Sequence, residues 1–165
     1  MTPTSDAVSW AVAAGASAQG VRTDWQAGRA TEVPIGSLWH VLRVTGTTGR
    51  DALTRLQARG EPLGPVLEVP MRFTIEFLVP RCAAAATWPP LLGTRWIEHG
   101  IIRCPGPERT RSAGRRSACG RRWIVPPVPA VIPATDADAL CEAVTAALVH
   151  QAERWISKVR SHPLV

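Results

Sequence analysis

The sequence predicts a single α/β (α+β) domain: a small mixed or antiparallel sheet, helices packed against it, and a long C-terminal helix. Three observations predict it. Residues 72–79 alternate with the two-residue period of a strand and place Phe73, Ile75, Phe77 and Val79 on one face. Residues 134–160 carry Leu140, Val144, Leu148, Ala152, Trp155 and Val159 at mostly four-residue spacing, the stripe of a helix that covers a sheet. The 165 residues are 45% hydrophobic, enough for a single domain around one core.

The chain divides into an N-terminal helix and loop (1–36), a core (37–128) and the C-terminal helix (134–160). Residues 6–18 predict a short helix, with Ala7, Trp10, Ala11 and Ala14 along one side; Gly15 and Gly20 weaken it. Residues 20–36 read as a polar loop anchored by Trp25. The first strand of the core spans 38–44. Thr48 followed by Asp51 is a capping box with Asp in place of Glu, Ala52, Leu53 and Leu56 form the apolar side of that helix, and Gly60 stops it.

Residues 61–65 predict a turn and 66–69 a short strand, ahead of the strand at 72–79. Thr74 and Glu76 fall on the face opposite Ile75, which predicts a half-solvated sheet. A Pro- and Ala-rich connection (80–93) leads to short strands at 94–97 and 100–103, hinged at Gly100. Residues 105–121 lack periodicity and are rich in Arg, Gly, Pro and Ser, the composition of a loop open to disorder. Trp123, Ile124 and Val125 form a strand that ends at Pro126 and Pro127. Thr135 is the expected N-cap of the last helix, with Asp136 and Asp138 in its first turn.

The formal net charge is +6 and the pI about 10.4, a balance that points to a nucleic-acid partner, DNA or RNA. The charge is concentrated: residues 103–122 hold seven Arg and one Glu. Arg103, Arg109, Arg111, Arg115, Arg116, Arg121 and Arg122 are therefore the candidate phosphate-binding residues, with Trp96 and Trp123 flanking them for stacking. Arg outnumbers Lys 18 to 1, a usage that GC-rich coding also produces.

Several weaker patterns accompany this one. Gly46 to Arg50 offers backbone N–H groups to an anion at a helix N-terminus, without the lysine of a P-loop. His99, Cys104 and Cys119, with Cys82 or Cys141, are the one set that zinc would use, but no close-spaced Cys pair supports it. Cys104 or Cys119 with His99 or His40 lacks the surroundings of a catalytic nucleophile. The four Cys are expected as free thiols, no stretch resembles a membrane span, and the N-terminus lacks a basic leader, so the expected location is the cytoplasm. Trp155, late in the last helix, is a candidate partner surface.

Taken in order, six pieces resemble the N-terminal domain of the bifunctional DNA primase/polymerases, in the archaeo-eukaryotic primase superfamily. They are the strand Trp39–Val44, the helix Gly49–Leu56, Gly64–Leu67, Phe77–Pro80, His99–Pro105 and Trp123–Pro127. Together they span about residues 37–128, and the closer likeness is to short actinobacterial proteins with a degenerate form of that domain.

The resemblance implies two acids on the first strand, a His on a later strand and a third acid before a glycine-containing hairpin. Two divalent metals held by such carboxylates would clamp the attacking hydroxyl and the triphosphate. The matching positions here are Arg43 and Thr45, Thr74, and Thr94, with Glu98 the nearest carboxylate to the last. An arginine repels a metal ion. The resemblance thus implies a catalytically degenerate relative that takes no cofactor and binds nucleic acid or nucleotide through its arginines. Mg²⁺ or Mn²⁺ would enter only if a residual nucleotidyltransferase survives. The alternative is a protein-interaction module with no nucleic-acid role.

Overall fold

The structure, a computed structural model, describes residues 5–81, 87–128 and 132–161. In chain order the elements are α1 (Ser5–Ala13), α2 (Ala18–Gln26), β1 (Thr31–Ile35), β2 (Trp39–Thr45), α3 (Gly46–Ala58) and β3 (Val66–Val69). A single 3₁₀ turn (Pro70–Arg72) leads to β4 (Thr74–Pro80), β5 (Thr94–Ile97), β6 (Gly100–Cys104), β7 (Arg122–Val125) and α4 (Ala137–Ser161). The strands form two antiparallel sheets, one of five strands in the order β5-β2-β4-β3-β7 and one pairing β1 with β6.

Both faces of the large sheet are covered. The back face packs Leu42, Val44, Ile75, Phe77 and Val79 against Leu53 and Leu56 of α3 and Leu140 and Val144 of α4. The front face packs Trp39, Val41, Leu67, Leu78 and Trp123 against α1, α2 and the small sheet, through Ala7, Ala11, Val21, Val33 and Ile102. Trp10 stacks on Trp39 at 5.9 Å and meets Trp123 edge-on at 6.0 Å, so three of the indoles join the helices to the sheet. The half-solvated face expected around Thr74 and Glu76 is instead an interior, and Glu76 is 1% exposed. The two helices and second sheet that bury it come largely from residues 5–35.

That N-terminal region departs most from the expectation of a loop at 20–36. Ser17 caps α2 by accepting from the Gly20 amide at 3.3 Å, and Trp25 donates its indole N–H to the Cys104 carbonyl at 2.9 Å. Gly20 inside the helix masks the periodicity. The strands at 94–97 and 100–104 likewise belong to different sheets, turning at Gly100, whose φ of +116° suits glycine.

Two predicted caps are also replaced. The first helix of the core begins at Gly46, without a side-chain cap, and the Thr48 hydroxyl donates instead to Gln151 Oε1 of α4 at 3.3 Å. Gly49 fits this helix against β4, since a Cβ there would lie 2.8 Å from Ile75. Asp136 rather than Thr135 caps α4, accepting from the Ala139 amide at 2.9 Å. Thr135 is buried and its hydroxyl accepts from the Gly64 amide at 3.0 Å.

Phe73 precedes β4 instead of lying on its apolar face. It is 53% exposed with φ +51°, and the Arg50 guanidinium sits 5.3 Å from its ring centroid. The Arg-rich loop is irregular but pinned. Arg111 donates its amide to the Trp123 carbonyl, Trp123 donates to the Arg109 carbonyl, and Ala118 donates to the Gly28 carbonyl. The α4 stripe splits: Leu140 and Val144 are buried and Leu148 is half-buried, whereas Ala152, Trp155 and Val159 are exposed. Among the described residues no helix is long and apolar enough to cross a membrane.

Candidate anion-binding cleft

Register decides which side chains meet. Pairing of β2 with β4 sets Arg43 opposite Glu76 and Thr45 opposite Thr74, and pairing of β2 with β5 sets Arg43 opposite Arg95. Directly opposed residues share a face, so Arg43, Thr45, Thr74, Glu76 and Arg95 all lie on the front. Thr94 pairs with Val44 and lies on the back, where its hydroxyl accepts from the Trp88 indole at 3.2 Å. Glu98 is exposed beyond the end of β5. Of the four residues that the sequence resemblance matched to acid and His positions, Arg43, Thr45 and Thr74 share a face and Thr94 does not. The Thr74 hydroxyl is buried without a partner among the described residues.

Glu76 is the centre of this face. Its Oε1 accepts from Arg43 Nε at 2.9 Å and pairs with the second nitrogen of the same fork at 2.8 Å. Its Oε2 accepts from Arg121 at 3.3 Å, and Arg121 also donates to the Arg103 carbonyl at 3.3 Å. A buried carboxylate needs such partners, and two forks satisfy it. Above it opens a cleft of about 250 Å³ between the two sheets, lined by Arg43, Arg72, Arg103, Arg121 and Glu76, with Ile101 and Ile102 of β6. Four guanidiniums line the cleft against Glu76, and Arg103 also pairs with Glu32 at 3.5 Å, which leaves a surplus of two positive charges.

The second buried carboxylate, Glu68, lies on the back face of β3 at 3% exposure, bound by Arg122 of β7 and by Arg50 of α3 at 3.4 Å. Burial favours its neutral form. The hydrogen bond and charge of Arg122 outweigh that, with help from Arg111 and Arg50, and hold the carboxyl below the usual range.

The seven candidate arginines of 103–122 thus divide. Arg121 and Arg122 hold the buried carboxylates, and Arg109 is tied to Glu108 at 3.3 Å and to the Arg116 carbonyl at 3.0 Å. Arg103 reaches Glu32 at 3.5 Å with both side chains exposed. Arg111, Arg115 and Arg116 are exposed and make no ion pair among the described residues. Neither flanking Trp is a stacking platform: Trp123 is fully buried and donates to the Pro105 carbonyl at 2.9 Å, and half-buried Trp96 donates to His40 Nδ1 at 3.1 Å. Burial lowers the His40 pKa and Arg81 and His99 lower it further, against a smaller opposing pull from Glu98.

Sequence reasoning missed Arg72 and Arg95. Each is isolated in the chain: strand pairing sets Arg95 opposite Arg43, and Arg72 reaches the cleft from the 3₁₀ turn before β4. The available signal was Glu76, a carboxylate inside an apolar strand, which requires cations nearby.

His99, Cys104 and Cys119 do not gather into a metal-binding group, and among the described residues no three His, Cys, Asp or Glu side chains do so. Cys82 lies outside the described residues. Cys104, Cys119 and Cys141 are free thiols. Burial pushes Cys104 up. Burial would also raise Cys119, but its hydrogen bond with Ser117 and the Arg121 backbone and charge bring it below the usual thiol value.

No protein-family model, curated protein or solved structure matches the chain. The likeness to primase/polymerase domains rests on the ordered sequence pieces quoted above.

Proposed function

We propose that the protein binds a nucleic-acid backbone and does not polymerise it. The observation that carries this reading is the charge surplus of the front cleft, where Arg43, Arg72, Arg103 and Arg121 face Glu76, and Glu32, beside Arg103, is the one further carboxylate paired with any of them among the described residues. Guanidinium forks match phosphate geometry. Arg72 and Arg103 are exposed, so a phosphate reaches them without displacing Glu76 from its own pair. The single carboxylate on this face is already committed to two arginines, and Arg43 stands where the resemblance places an acid, so two metals have no anionic cage there.

The test is binding of a fluorescently labelled single strand, followed by anisotropy as salt is raised. Arg72, Arg95 and the exposed members of the 103–122 set, Arg103, Arg111, Arg115 and Arg116, are the six exposed arginines assigned to phosphates in this reading. Six contacts on a single strand give a log–log salt slope of about −4. R72Q/R103Q is expected to weaken binding and flatten that slope by about 1.4. Absence of binding at low salt, or binding indifferent to salt, would refute the reading. Metal-dependent nucleotide incorporation on a primed template would refute its non-catalytic half.

One observation favours a second reading, a protein-interaction module. Val149, Trp155, Ile156 and Val159 are all at least 45% exposed on the C-terminal half of α4. Light scattering across a concentration series tests for self-association through it, and a mass that stays monomeric removes self-association.

A further inference from the structure

The C-terminal half of α4 carries a second apolar face, distinct from the one that packs on the sheet. A helix advances about 100° per residue, so side chains repeated every four residues drift round its axis by about 40° at each step. The stripe that begins at Leu140 and Val144 therefore leaves the side that meets the sheet. Val149, Ala152, Trp155, Ile156 and Val159 fall within an arc of about 120°, turned roughly 120° from buried Leu140, Ala143, Val144 and Ala147. All five are exposed, Trp155 by 68% and Ile156 by 45%, and no polar residue from 149 to 161 enters the arc. We propose that this face binds the same face of a second copy of the chain, the two helices running antiparallel about a two-fold axis. The proposal rests on the second reading above, that α4 is an interaction surface, and names its partner.

The face is self-complementary in shape. With the axis near the middle of the arc, Val149 meets Val159 of the second copy and Ala152 meets Ile156, a small side chain against a large one. Trp155, on one flank, lies beside the axis and meets the Trp155 indole of the second copy.

It is also self-complementary in charge. A two-fold axis across antiparallel helices sets each flank against the same flank of the other copy. The flank opposite Trp155 holds Glu153 and Arg160, both exposed and without an ion pair among the described residues. They are about 10 Å apart along one helix, too far to pair with each other. Antiparallel packing brings Glu153 of each copy toward Arg160 of the other. Parallel packing would set this flank against the Trp155 flank and leave both charges unanswered. An anionic lipid surface would meet Glu153 as a like charge.

The five side chains on both copies bury at most about 900 Å², below the standard interface, so the dimer forms at micromolar rather than nanomolar concentration. Sedimentation equilibrium of the full chain up to about 500 µM tests it, with a mass rising from monomer to dimer as the expected result. I156E should weaken the dimer at least tenfold. E153R and R160E should each weaken it roughly three- to tenfold at low salt, and E153R/R160E, which exchanges the charges, should restore it. The substituted side chains are exposed, and matching thermal unfolding curves confirm that the variants fold. A chain that stays monomeric overturns the proposal, and binding of that monomer to phosphatidylserine vesicles, lost in I156E, would assign the face to lipid instead. A dimer unchanged by I156E overturns the proposal together with the reading of α4 as a contact surface. A dimer that I156E disrupts and E153R/R160E fails to restore overturns the antiparallel pairing and leaves that reading standing.

Discussion

Glu76 and Glu68 are one strand apart and on opposite faces of the same sheet, and each is buried between two arginines. They differ in what lies beyond the pair. Glu68 sits near the sheet edge beside β7, where Arg122 and Arg50 join strand, neighbouring strand and helix. Glu76 sits mid-sheet beneath a cleft, and two further arginines, Arg72 and Arg103, face it without being needed to neutralise it. Glu68 is also outnumbered, by Arg122, Arg50 and the nearby Arg111, but it does not line the arginine cleft and its partners act as a fastening. A carboxylate at the floor of an open cleft leaves the surplus where an outside anion can use it.

That contrast can be broken first at Glu76. E76Q leaves half-buried Arg43 and buried Arg121 against a neutral amide, and is expected to cost about 3–5 kcal/mol in urea unfolding. If E76Q costs no more than E68Q, the two sites are equivalent and the contrast fails. The sharper form is R43M/E76L/R121M, which removes charges and partners together. Replacing a buried ionic set with apolar side chains is often close to neutral, so stability is expected within about 2 kcal/mol of the original, while anisotropy with a labelled single strand shows weakened binding. Stable protein with unchanged binding would show that Arg43 and Arg121 serve only the fold.

E68Q is expected to cost less, about 1–3 kcal/mol, because Arg50 is half exposed and can turn to water. Its pH dependence has a definite sign. The folded carboxyl titrates below its unfolded value of 4.5, so its contribution is present above that value and lost as pH falls through the folded value. The stability difference between the original chain and E68Q should therefore be full at pH 6 and shrink steadily below about pH 4.5. The smallest effect expected is from D136A, about 1 kcal/mol by thermal unfolding, since it removes one exposed helix cap and touches neither cluster.

Much of the sheet was legible locally. Ile75, Phe77 and Val79 follow the period of a strand and all three are buried together on the back face. Leu140 and Val144 follow the period of a helix and pack there too. The N-terminal region was not legible in this way. Nine-residue helices with Gly20 inside one of them carry little periodic signal, and β1 forms only because β6 pairs with it from 69 residues away. Thr48 and Thr135 read as caps by sequence spacing, yet tertiary partners, Gln151 and Gly64, claim their hydroxyls.

The arginines show the same division. Their number between residues 103 and 122 is plain in the chain, but their roles are not. Arg121 and Arg122 are adjacent, so on a strand they point to opposite faces, and they end on Glu76 and Glu68 respectively. Periodicity and composition, which depend on near neighbours, determined the α+β class, the central strand and helices, and the basic character. Which cations are spent on buried carboxylates, and which remain for a phosphate, depends on register between distant strands. Only the tertiary structure decided that, because a buried charge must be met by whatever the fold brings to it.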